Sequence, residues 1–236
     1  KDTSGYTTKD LPSLEGKRFG IVKEYMSEGV NPSVKAVIEK TTSRITKAGG
    51  EVVEVSLPSL PLALAVYYVV VPAEISSNLS RYDGQKFGYS ETSAQTLEQS
   101  YLKSRSVGFG KEAKRRIMVG TYVLSSGYYD AYYKRAQLVR TKLINEFNSA
   151  FKKVDFLIGP TAPATAFKIG ENTKDPLKMY LADIMTVAAN LTGIPAISVP
   201  SGKASDGLPV GLQIMAAQQK NKELLNIAKA VEGIIG

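Results

Sequence analysis

Hydrophobic residues mark two different periods along this chain. Arg18–Tyr25 (RFGIVKEY) and Glu51–Leu57 (EVVEVSL) are short runs that read as strands. Between them Asn31-Pro32-Ser33 predicts a helix start, with Asn as the cap and Pro at the first helical position. That helix runs from Ser33 to about Ala48 and stops on Gly49-Gly50. Strand, helix and strand form a βαβ unit, which predicts two parallel strands joined by a right-handed crossover. No G-x-G-x-x-G follows the first strand, so the unit is not read as a nucleotide site.

A helical period then takes over. Leu62–Ser80 reads as an apolar helix carrying Tyr67 and Tyr68 and kinked near Pro72, and Gln95–Ser106 as a shorter one. Gly108–Arg140 opens on Gly-Phe-Gly and continues helically towards Phe151. A single helix over that span would be about 60 Å long at ~1.5 Å per residue, too long for a compact domain. Ser125-Ser126-Gly127 is the expected break. Beyond it, Tyr132, Ala136, Val139, Leu143, Phe147 and Ala150 form a regular apolar stripe.

Asp155–Gly159 (DFLIG) is a strongly apolar strand entering the proline loop PTAPATAF. Asp175-Pro176 caps a helix expected over Leu177–Thr192. Ala196–Pro200 and Pro209–Met215 are strands joined by SGKASDG, a connection too short for a helix, so they form a hairpin. Parallel and antiparallel pairs together make the expected sheet mixed. Lys222–Ile234 is a closing amphipathic helix. Residues 1–17 read as a polar lead-in, and 18–236 as part of a single α/β domain.

Two charged residues stand out against this pattern. Arg115 and Arg116 are adjacent and point about 100° apart on a helix. Arg115 shares a solvent-facing stripe with Lys111 and Tyr122, whereas Arg116 shares one with Ala113, Gly120 and Val123, small residues that permit a close approach. Arg116 either pairs with Glu112 one turn back, for a few tenths of a kcal/mol, or faces a ligand. Asp183 lies in a helix apolar nearly all round, with Met179 and Val187 a turn to either side, and such helices are usually buried. A carboxylate there needs a cation or several donors. It either bridges to a Lys or Arg, or binds a ligand ammonium opposite an Arg that takes a carboxylate as a fork.

Composition narrows the chemistry. Of 236 residues, 43% are hydrophobic, enough for a substantial core. The chain has no His and no Cys, which excludes Ser-His-Asp and Cys-His catalysis, most zinc sites and disulfides. The net charge of +8 is spread along the chain, densest in KEAKRR at 111–116, and suits acidic partners such as RNA only weakly. Ala63–Ala73 is short and interrupted by proline, so no membrane span is expected.

Five segments carry a resemblance: PAEISSNLSRYDG (72–84), the long block 106–141, GPTAPATAF (159–167), DPLKMYLADIMTVAANLTGIPAISVP (175–200) and GLPVGLQI (207–214). They closely resemble the glutaminase subunits, or A subunits, of Glu-tRNA(Gln)/Asp-tRNA(Asn) amidotransferases, within the amidase signature family. The resemblance implies an amidase-signature-type α/β/α sandwich around a mixed sheet, incomplete without an N-terminal half. It also implies a Ser-cis-Ser-Lys triad, expected upstream of Lys1, because no glycine-rich loop bearing two serines occurs here. The doublets Ser76-Ser77 and Ser125-Ser126 lie outside any such loop and are read as structural. This chain alone is therefore expected to be inactive.

By the same resemblance Arg116 and Asp183 hold the carboxylate and amino ends of substrate glutamine, with Tyr67 placed nearby. Ammonia released from glutamine passes to a partner, the B subunit, which binds mischarged tRNA and uses ATP and Mg²⁺; a small C subunit completes a heterotrimer. No metal or nucleotide site is expected on this chain, and its compartment is bacterial cytoplasm or an organellar matrix. The alternatives are a free-standing amidase of small amides and a non-catalytic basic RNA-binding module.

Overall fold

The computed structural model describes residues 12–171, 179 and 181–235. The chain divides into two compact units, Lys1–Leu64 with Arg140–Gly236, and Ala65–Val139.

The first unit is built on a five-stranded sheet in the order β2-β1-β3-β5-β4. β1 (Arg18–Val22) pairs in parallel with β2 (Glu51–Val55) and with β3 (Phe156–Pro160), while β4 (Ala196–Lys203) and β5 (Pro209–Ala216) form an antiparallel hairpin. β5 also lies antiparallel to β3, so the sheet is mixed, as the βαβ unit and the hairpin together predicted. β1 ends three residues earlier than its apolar run suggested, because Lys23–Met26 turns into a short 3₁₀ helix. Every residue of β3 and six of the eight in β5 are buried, a pattern reached only when both sheet faces are covered.

Helix α1 (Pro32–Lys47) starts where Asn31 and Pro32 put it, with the Asn31 side chain accepting from the Ser33 amide. Val34, Val37, Ile38, Thr41 and Ile45 face the core. Thr41 and Ser201 of β4, both buried, satisfy one another's hydroxyls at 2.7 Å. The lead-in is less detached than its composition suggests. Leu14 is buried, and the Gly16 amide donates to the Gly49 carbonyl.

The second unit is helical: α2 (Ala63–Leu79), α3 (Leu97–Gly108) and α4 (Lys111–Leu124), followed by a π-helical turn at Tyr129–Lys134. Pro72 lies inside α2. With the turn before it, Leu60–Leu79 is long and apolar enough by length and composition to cross a membrane, longer than the run Ala63–Ala73 suggested. Val66, Val70 and Ala73 of this helix are nevertheless buried in the protein. The expected break falls where predicted: α4 ends at Leu124, Ser125 closes it, and Gly127 takes a left-handed φ of +85°. The Ser125 hydroxyl donates to the Tyr122 carbonyl and the Ser76 hydroxyl meets Thr121, so these serines hold helix contacts.

Helix α5 (Arg135–Ala150) carries the predicted stripe from Ala136 onward, with Leu143 and Phe147 fully buried. Each such side chain contributes about 1.5–3 kcal/mol. Tyr132 leaves the stripe and is exposed. The wider π turn shifts its angular position, and its ring stacks on Tyr128 at 6.0 Å between centroids. The chain then continues through β3 to α6 (Ile184–Thr192), β4, β5 and α7 (Asn221–Ile235). The cap expected at Asp175-Pro176 and the helix turn from Leu177 lie outside the described residues.

Candidate functional site

Arg116 sits on α4 with its guanidinium held at two points. Its Nε donates to Glu112 Oε1 at 2.7 Å, and Nη1 donates to the Tyr67 hydroxyl of α2 at 3.2 Å. The two helices approach through the small stripe. A Cβ built on Gly120 would meet the Pro72 carbonyl oxygen and the Ser76 side chain, so only glycine fits there. The stripe of small residues around Arg116 thus receives α2, and that approach carries Tyr67 to the arginine.

The surface pair and the partly buried contact coexist. The Arg116 side chain is 28% exposed, against 53% for Glu112. Its hydrogen bonds to Glu112 first, then to Tyr67, raise the Arg116 pKa further above its ordinary value, so the guanidinium stays charged at any working pH. The same hydrogen bond from Arg116, opposed by slight desolvation and reinforced by Arg115, lowers the Glu112 carboxyl below the usual glutamate value.

Sequence reasoning missed how Arg115 and Arg116 converge. Two side chains leaving the helix about 100° apart still reach one carboxylate, because each is long enough to fold back one turn. Arg115 places Nε at 3.0 Å and Nη2 at 2.6 Å from Glu112 Oε2, leaving Oε1 to Arg116. The readable signal was the i, i+3, i+4 spacing of Glu112, Arg115 and Arg116.

Asp183 belongs to the other unit, and its surroundings correct the expectation of a buried carboxylate. It is exposed, and α6 begins only at Ile184. Asp183 occupies the position before the helix, where its backbone carbonyl accepts from the Thr186 and Val187 amides. Its side chain makes no capping hydrogen bond. The turn at Ala182–Asp183 interrupts the helical period, so the all-round apolar pattern does not bury this position. Its neighbours do meet an apolar space. Leu181 and Ile184 line a cavity of about 230 Å³ with Tyr25, Val30, Leu60 and Pro163. Pro163 comes from the proline loop, which is tied down by its carbonyl accepting from the Asn31 amide at 2.8 Å. The loop is held again where Thr165 donates to Asp206.

Comparison with known proteins shows the family. A family profile described as Amidase matches residues 2–225. The chain belongs to the amidase family. Among curated members it is 52% identical over 219 residues to the A subunit of glutamyl-tRNA(Gln) amidotransferase from Koribacter versatilis, covering 93% of this chain and 46% of that protein. It is 50% identical over 235 residues to the protein of the same name from Heliobacterium modesticaldum, covering 48% of that protein. The chain thus spans about half the length of the curated amidases it matches.

Among solved structures, the A subunit of glutamyl-tRNA(Gln) amidotransferase from Thermotoga maritima superposes with a TM-score of 0.70 at 38% identity, covering 93% of this chain and 43% of that one. A structure described only as an amidase superposes with a TM-score of 0.72 at 22% identity and bears on the fold alone. The amidase-signature fold expected from the sequence is the fold observed.

Proposed function

We propose that this chain supplies the glutamine-binding part of the glutaminase subunit of a tRNA-dependent amidotransferase. In that reaction glutamine is hydrolysed, and its ammonia converts Glu-tRNA(Gln) to Gln-tRNA(Gln), or Asp-tRNA(Asn) to Asn-tRNA(Asn). The observation that carries the reading is the guanidinium of Arg116, fixed through Nε and Nη1 with Nη2 lacking an acceptor among the described residues. A planar cation held in this way is suited to a carboxylate, which it meets as a two-pronged fork. Arg116 then takes the α-carboxylate of glutamine, and the Tyr67 hydroxyl keeps the fork in plane.

Asp183 is assigned the α-ammonium of glutamine. Its exposed carboxylate, spared from capping its own helix, supports that role. The amide-cleaving groups are assigned to sequence not present in this chain, a Ser-cis-Ser-Lys set in which Lys is the base and the terminal Ser attacks the side-chain amide. ATP, Mg²⁺ and the mischarged tRNA are assigned to the partner B subunit, with a small C subunit completing the complex in bacterial cytoplasm or an organellar matrix. The high identity to curated amidotransferase A subunits supports this assembly over a free-standing amidase.

The test is steady-state release of ammonia by the chain completed to the length of its curated relatives, with and without partner subunits. Glutamine as the preferred amide, with release stimulated by mischarged tRNA and ATP in the complex, is expected. Preference for other small amides, with no effect of partners, would favour a free-standing amidase instead.

A further inference from the structure

We infer that Glu112 is a positioning residue for the substrate carboxylate, acting through Arg116; the inference rests on the proposed glutamine site. Glu112 lies in the first turn of α4, where a carboxylate is favoured by the helix dipole. It does not cap that turn. Instead it reaches forward to both arginines, and each of its oxygens is committed to a different one.

The consequence is directional. A guanidinium has five N–H donors in a fixed plane. Fixing Nε on Glu112 and one Nη1 hydrogen on Tyr67 sets both the position and the tilt of that plane. The two Nη2 hydrogens and the second Nη1 hydrogen have no acceptor among the described residues. A carboxylate meeting this remaining edge finds it already oriented, so less freedom is lost on binding. Arg115, gripping Glu112 Oε2 with two N–H groups, keeps the glutamate from rotating. The chain of contacts Arg115–Glu112–Arg116–Tyr67 therefore ends on the substrate.

Charge and geometry make opposite predictions here, which separates them. As a charge alone, Glu112 opposes binding of an anionic group, and removing it should tighten glutamine. As a positioner, it helps, and removing it should weaken glutamine. The local balance of two arginines against one glutamate leaves a net positive charge for the ligand.

The experiment measures glutamine hydrolysis by the amidotransferase complex, its glutaminase subunit at the length of the curated relatives. Glu112→Ala is expected to raise KM for glutamine about tenfold while changing kcat far less, as loss of a charge-assisted hydrogen bond allows. Glu112→Gln keeps an oxygen acceptor for Arg116 Nε without the charge, and it should restore most of the lost affinity. An unchanged or lowered KM in Glu112→Ala overturns the inference. Equal damage to kcat and KM by both variants would overturn it as well, since that marks a general structural role. Arg116→Ala, measured beside them, separates the two readings. If it leaves KM unchanged, the glutamine site itself is wrong; if it raises KM while Glu112→Ala does not, only the positioning role fails.

Discussion

Gly120 and Pro72 meet more closely than any side chain would allow. A Cβ on Gly120 would collide with the Pro72 carbonyl oxygen and fall 2.7 Å from the Ser76 Cβ. This contact sets how near α4 runs to α2, and so whether Tyr67 can reach Arg116. In an unobstructed helix interior, Gly→Ala stabilises by roughly 0.5–1 kcal/mol. Here the obstacle is backbone, which cannot rotate away. Gly120→Ala is expected to destabilise the protein by about 1–3 kcal/mol, read by urea unfolding followed by circular dichroism. A neutral or stabilising result would contradict the packing described.

Tyr67 accepts a hydrogen bond from Arg116 through its hydroxyl, at 3.2 Å. Tyr67→Phe keeps the ring, and with it the edge-on contact to Tyr68 at 5.1 Å. Loss of one net hydrogen bond of about 0.5–1.5 kcal/mol predicts a two- to tenfold rise in KM for glutamine, with kcat nearly unchanged. A fall in kcat with constant KM would place Tyr67 in the chemistry instead.

Asp183 separates function from stability. Replacing a capping aspartate costs about 1 kcal/mol, but this side chain caps nothing. Asp183→Asn should therefore unfold within about 0.5 kcal/mol of the parent while glutamine binding, measured by calorimetry on the completed subunit, is lost. Parent-like affinity would remove Asp183 from the site.

Glu112 also makes a prediction in pH. Its hydrogen bond from Arg116, followed by Arg115, lowers its folded pKa below the ordinary glutamate value. A depressed pKa contributes stability that is present above the unfolded value and disappears as pH falls through the folded value. The Arg116 contact should thus survive acidification past the point where ordinary glutamates protonate. Carboxyl carbon shifts followed by NMR should give Glu112 a midpoint below the ordinary glutamate value. A midpoint at or above that value would mean the contact is absent in solution.

Much of the scaffold was legible because its signals are local. Asn31-Pro32 and Gly49-Gly50 bracket α1, and Ser125-Ser126-Gly127 breaks the long helix, each through a single residue's backbone preference. The hairpin followed from a connection too short for anything else. The rest depended on distance or register. One inserted residue's worth of π turn at Tyr129–Lys134 moved Tyr132 off a stripe that continues correctly from Ala136. A turn at Ala182–Asp183 exposed an aspartate that helical periodicity would bury. Division of the chain into two units has no local signature at all. Arg116 was visible as an anomaly on a small-residue stripe, but its hold on Tyr67, 49 positions earlier, needed coordinates.

In the proposed site everything depends on Arg116 receiving the carboxylate of glutamine as a fork. Arg116→Lys, in the subunit completed to its relatives' length, replaces that planar fork by a point charge of the same sign. Steady-state kinetics should then give a KM for glutamine raised about tenfold or more, with kcat much less affected. A KM equal to that of the unsubstituted enzyme would contradict the assignment.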